Sequence, residues 1–168
     1  MRSAGIARLS GSVSPLAVMI AAASFLLAST VHAADIKDLT DKLPRAYIGE
    51  FLWDGDKTVQ SVVFTFDKVR ALNEQNAEAR GCGSYQVGRQ VTTIRIRMFV
   101  KLPDLQVEIF EQSPEGSGTF ETDGSHRGTL SSDLQRIDAQ WTTTASGQHG
   151  QLHLRAASSA VCEPADSV

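Results

Sequence analysis

The chain has 168 residues, 42% of them hydrophobic and 7% aromatic, with 16 Lys and Arg against 19 Asp and Glu and a formal net charge of −3. That length suits one domain with a core of its own, and the acidic balance, with no basic cluster, speaks against a nucleic-acid partner. The two cysteines form no Cys-x-x-Cys and have no paired histidines beside them, so no metal site and no cofactor is expected.

Residues 1–33 read as a secretory signal peptide. Arg2 and Arg8 make a basic start, residues 15–27 are an apolar run, and Val31-His32-Ala33 offers small residues for cleavage. The run is roughly 13–15 residues, short of the about 20 a spanning helix needs. The expectation is therefore a periplasmic or secreted protein that does not span the membrane in its mature form. Without Arg2 and Arg8 the balance becomes 14 basic to 19 acidic residues, a net of about −5.

Residues 34–45 read as a short helix and linker. Asp35 is a suitable N-cap, Ile36, Leu39 and Leu43 recur at helical spacing, and Pro44 stops the pattern. A barrel domain over 46–157 and a tail over 158–168 follow. The first strand, 46–53, carries Tyr47, Gly49, Phe51 and Trp53 on one face. Gly49 among aromatics signals close backbone approach or a bend. Asp54-Gly55-Asp56 is a turn, and 58–66 is a second strand with Val62, Phe64 and Phe66 inward. Residues 67–80 contain many helix formers without an apolar stripe. They read as a strand extension, a polar loop near 73–77 and a new strand over 81–87, with a helix as the alternative.

Residues 91–100 carry the clearest pattern. Ile94, Ile96, Met98 and Val100 alternate with Arg95, Arg97 and Phe99, which marks a half-buried antiparallel strand. A loop at 101–104 places Val100 opposite Leu105, Met98 opposite Val107, Ile96 opposite Ile109 and Arg97 opposite Glu108. Residues 113–118 read as a loop. Residues 119–122 and 126–131 flank an Asp123-Gly124 hairpin signal. In the last hairpin Ile137, Ala139 and Trp141 face inward and Leu152, Leu154 and Ala156 return, with Trp141 opposite Leu152 and Ala139 opposite Leu154.

The fold class is all-β: an antiparallel up-and-down meander of about eight strands with one short N-terminal helix. Closure into a small barrel removes exposed edges, and eight strands enclose side chains or one small ligand. A β-sandwich is the alternative. A membrane barrel shares the alternation, but strands of six to nine residues without aromatic girdles argue against it. The barrel is calycin-like, similar to avidins and lipocalins, in architecture only. The first strand lacks the Gly-x-Trp of many lipocalins, and no biotin site maps residue by residue.

Cys82 and Cys162, an even pair in an exported chain, are expected to form a disulfide. Closing a loop of about 80 residues is worth up to about 4.5 kcal/mol in the chain-entropy model.

No nucleophile elbow is present. Asp123, Ser125 and His126 are too close in sequence to assemble a triad, and no catalytic residue is assigned. His149 and His153 lie on one strand face roughly 13 Å apart, too far to share a metal. His126 reads as exposed. Glu111 falls on the inner face near a strand end and reads as reaching the rim.

The leading expectation is a non-catalytic binding module that holds a small apolar ligand. Tyr47, Trp53, Phe64, Tyr85 and Trp141 would line its site. The alternative is an envelope accessory protein or enzyme inhibitor with a filled core. Its contact patch would be Arg89, Arg95 and Arg97.

Overall fold

Alternating apolar and polar residues close on themselves in this molecule. The computed structural model describes residues 35–113, 122–143 and 147–162. The predicted signal peptide, residues 119–121 of the expected strand over 119–122 and the end of the tail lie outside the described residues. Helix α1 (Ile36–Lys42) is followed by eight strands: β1 (Ala46–Trp53), β2 (Val59–Ala71), β3 (Asn76–Val87), β4 (Gln90–Lys101), β5 (Gln106–Gln112), β6 (Gly124–Leu130), β7 (Arg136–Thr143) and β8 (His149–Ala156). Each strand pairs antiparallel with the next, and β8 pairs with β1, so the sheet is a closed barrel rather than a sandwich.

The inward residues are those the alternation selects. Ile94, Ile96, Met98 and Val100 on β4 are all buried, as are Val107 and Ile109 on β5, Ile137 and Ala139 on β7, and Leu152 and Leu154 on β8. Gly49 meets the close approach expected of it. A Cβ there would fall 1.9 Å from the main-chain oxygen of His153 on β8, so any side chain would force β1 and β8 apart.

Three expectations are corrected. Both hairpin registers move by two residues. Val100 pairs with Val107, Met98 with Ile109 and Ile96 with Glu111. Ala139 pairs with Leu152 and Trp141 with Gly150. The inner and outer faces survive because side chains repeat with period two. The physical reason in the first hairpin is Leu105. It adopts φ +52°, stays in the turn and buries its side chain in the core, instead of opening the strand. Consequently Arg97 stands opposite Phe110, and Glu108 stands opposite Phe99 and binds Arg127 at 2.8 Å. Gly124 is also not a turn residue. It is the first residue of β6 and pairs with Thr143.

Residues 67–80 are not helical. β2 continues to Ala71 through an irregularity between Phe66 and Lys68, and β3 begins at Asn76, earlier than expected.

The two ends of the barrel differ. Helix α1 precedes the start of β1 and packs Leu39 and Leu43 into the core together with Leu102, Leu105 and Leu130. Asp35 caps the helix, its carboxylate accepting from the Lys37 N–H at 3.0 Å. At the opposite end, where β1, β3, β5 and β7 finish, the described residues form no helix.

Candidate functional site

The cavity lies at the end away from α1. It measures about 390 Å³ and is lined by Phe51, Trp53, Tyr85, Glu111, His126 and Trp141, with Gln60, Val87, Gln90, Thr92 and Gln148. Each aromatic arrives by strand alternation. Phe51 and Trp53 are successive inward residues of β1, Tyr85 is inward on β3, and Trp141 on β7 is the cross-strand partner of His126 on β6. Phe51 is the hub. Its ring stands edge-on to Trp53 at 4.9 Å, His126 at 5.7 Å and Tyr85 at 5.9 Å. Gly124 leaves the room Trp141 needs, because a Cβ there would lie 2.8 Å from the indole Cζ2.

Polar chemistry converges on one oxygen. The Tyr85 hydroxyl donates to Glu111 Oε1, and His126 Nε2 lies 2.9 Å from the same oxygen and 3.3 Å from the Tyr85 hydroxyl. A carboxylate oxygen that already accepts from Tyr85 makes His126 Nε2–H a second donor to it. Burial, reinforced by the Glu111 charge, pushes the Tyr85 phenol well above its ordinary pKa and keeps the proton on the donor.

Two buried nitrogens find no partner among the described residues: His126 Nδ1 and Trp141 Nε1. An unsatisfied buried polar atom costs about 1–3 kcal/mol, and such atoms concentrate where a ligand or water completes the bonding.

The expected ligand-binding residues separate. Trp53, Tyr85 and Trp141 meet at this cavity. Tyr47 and Phe64 do not line it. Tyr47 is fully buried, and its hydroxyl donates to the Leu134 carbonyl at 2.8 Å in the connection before β7. Phe64 is fully buried with its centroid 6.2 Å from that of Tyr85.

His126 corrects the expectation of exposure: it is 1% exposed, in phase with buried Leu130 on β6. Glu111 corrects the expectation of a rim position. It is buried, in phase with Val107 and Ile109, and bonded by two side chains. Ser125 faces outward and donates weakly to Glu108 at 3.4 Å, so it shares no site with His126. His149 and His153 are exposed, beside Thr142 and Asp138 respectively.

The arginines do not form one patch. Arg89 sits in the exposed turn between β3 and β4. Arg95 and Arg97 border a groove of about 850 Å³ on the outer wall, with Arg80, Phe99 and Phe110. Arg97 is also engaged by Glu78, a buried outer-face carboxylate that Arg70 and Arg80 bind at 2.7 and 2.9 Å. Alternation puts Glu78 on the outer face, and its burial comes from Arg80, two residues along β3, and from Arg70 and Arg97 on the flanking strands β2 and β4.

Cys82 and Cys162 are joined as a disulfide with Cα atoms 5.8 Å apart. The segment after β8, held at Ala157 by the Ala46 carbonyl at 2.9 Å, thus reaches the outer face of β3. Among the described residues no helix is long and apolar enough to cross a membrane.

The site defines a class, a closed eight-stranded barrel with a small aromatic cavity at one end. The sequence matches no protein-family model and no curated relative.

Proposed function

We propose that this chain is an exported, non-catalytic binding module that holds a small, mainly apolar ligand in the cavity beside Trp53 and Trp141. The observation that carries the reading is the pair of buried, unpartnered ring nitrogens on cavity-lining side chains. A volume of about 390 Å³ lies within the usual range for small-ligand sites, roughly 300–1,000 Å³, and the aromatic walls supply the apolar contact such sites need. The ligand would offer an acceptor to Trp141 Nε1 or a hydrogen-bond partner to His126 Nδ1. Export fits the disulfide, which persists in oxidising compartments.

The test is the native mass of the protein purified from its own compartment, together with titration by the neutral dye N-phenyl-1-naphthylamine. A mass lost on denaturation, or saturable dye binding with a shift in tryptophan emission, is the expected result. A bare mass and no dye binding overturn the reading.

The outer groove supports a second reading, a protein-interaction module. Phe110 stands 40% exposed there beside Arg95 and Arg97. Substitution of Phe110 by Ser would then abolish partner capture and leave dye binding unchanged.

A further inference from the structure

Resting on the cavity reading above, we propose that the ligand is a small organic cation, an ammonium or protonated nitrogen base on an apolar body, held between the aromatic walls and Glu111. The eleven described lining residues include no Lys or Arg, and Glu111 is their only carboxylate. A bound anion would face that carboxylate with no lysine or arginine beside it, while a cation would pair with it. Both donors that reach Glu111, the Tyr85 hydroxyl and His126 Nε2, end on Oε1, so Oε2 takes neither of them. His126 is 1% exposed, and its Nδ1 has no partner among the described residues. A carboxylate at the wall matches the N–H donors of a cation better than it matches an anion or a purely apolar group.

The walls agree. Phe51, Trp53, Tyr85 and Trp141 surround the same space, and their rings attract a cation through their faces. The Tyr85 phenol donates to Glu111 without cancelling its charge, unlike the arginines that neutralise Glu78 on the outer wall.

The test compares three probes of one shape by isothermal titration of the intact protein at about pH 8, where the amine is charged. They are 1-naphthylmethylammonium, 1-naphthalenemethanol and 1-naphthoate. The ammonium probe is expected to bind at least about tenfold more tightly than the alcohol, with naphthoate weakest. Glu111→Gln should bring the ammonium and alcohol probes to within about threefold of each other. Equal affinity for ammonium and alcohol, or a preference for naphthoate, overturns the cation assignment while the cavity reading stands. Binding of none of the three overturns the cation assignment, and a negative dye titration then removes the cavity reading as well. Should Glu111→Gln fail to fold, the order of the three probes on the unmodified protein decides.

Discussion

Glu78 and Glu111 are both buried on barrel strands, and their surroundings are opposite. Glu78 lies on the outer face with no exposed side-chain surface, under three arginines that are each about half exposed. Those arginines bring the counter-charge and keep their own contact with water. Their hydrogen bonds, that of Arg80 foremost, hold the Glu78 carboxyl at about 2, below the ordinary 4.5. Glu111 lies inside the barrel and, among the described residues, receives a phenol and an imidazole. The first is a satisfied structural cluster. The second leaves two buried ring nitrogens without partners among the described residues, on side chains that line the cavity. Burial alone therefore does not mark a functional carboxylate; what marks it is a bonding network left incomplete beside empty space.

The strongest way to break this contrast is to place a carboxylate inside with no donors at all. Ile96 is inward and stands directly opposite Glu111. Ile96→Asp buries an unpaired charge next to an existing one, and the expected result is loss of the folded state, a penalty of several kcal/mol. Circular dichroism should show no cooperative transition. A folded variant would mean that the inner and outer faces are reversed.

Next in size is the outer-wall disulfide. Cys82→Ser and Cys162→Ser should each cost about 2–4 kcal/mol, by similar amounts, because either change opens the same loop. Thermal melts check this. Probe binding should be unchanged, since Cys82 faces away from the cavity. Widely different losses would show that the two cysteines do not act as a pair.

Glu78→Gln should cost less, about 1–2 kcal/mol, because the arginines it leaves behind are solvated. The pH dependence has a definite sign. A carboxyl whose folded pKa is depressed to about 2 contributes stability that is complete above the ordinary 4.5 and lost as pH falls from there through about 2. The unmodified protein should therefore lose stability between about pH 5 and pH 2 more steeply than Glu78→Gln, measured by urea midpoints. Equal slopes would mean that another group carries the acid dependence.

The same contrast shows what a sequence reader can see. The faces of β1, β4, β5, β7 and β8 follow from alternation, so much of the barrel core and the inward place of Trp141 and Glu111 were legible. Register was not. Leu105 turns with a positive φ, and a residue that looks like the start of a strand belongs to the turn before it. His126 was misread because Arg127 and Gly128 beside it look like a polar loop, although its phase with Leu130 places it inside. The cover over Glu78 was only partly visible: Arg80 lies two residues along the same strand, but Arg70 and Arg97 come from the two flanking strands, whose registers with β3 the alternation does not set. Tyr47 and Trp53 share a face of β1, yet only distance along the strand decides that one meets the closed end and the other the cavity.

The finest test of the inner site is Trp141→Phe. It removes Nε1, an unpartnered buried donor whose desolvation costs about 1–3 kcal/mol, and so should recover that amount. It also removes part of a side chain that is 2% exposed, which costs less than the about 3–5 kcal/mol of a truncation to alanine. The two effects oppose each other at similar size. The expected net change is within about 1 kcal/mol of zero, read as a small shift of the denaturant midpoint. Affinity for a ligand that accepts from the indole should fall severalfold at the same time. A loss of about 3 kcal/mol or more would mean that Nε1 is already satisfied in the free protein, and the argument that a ligand completes this wall would lose its starting observation.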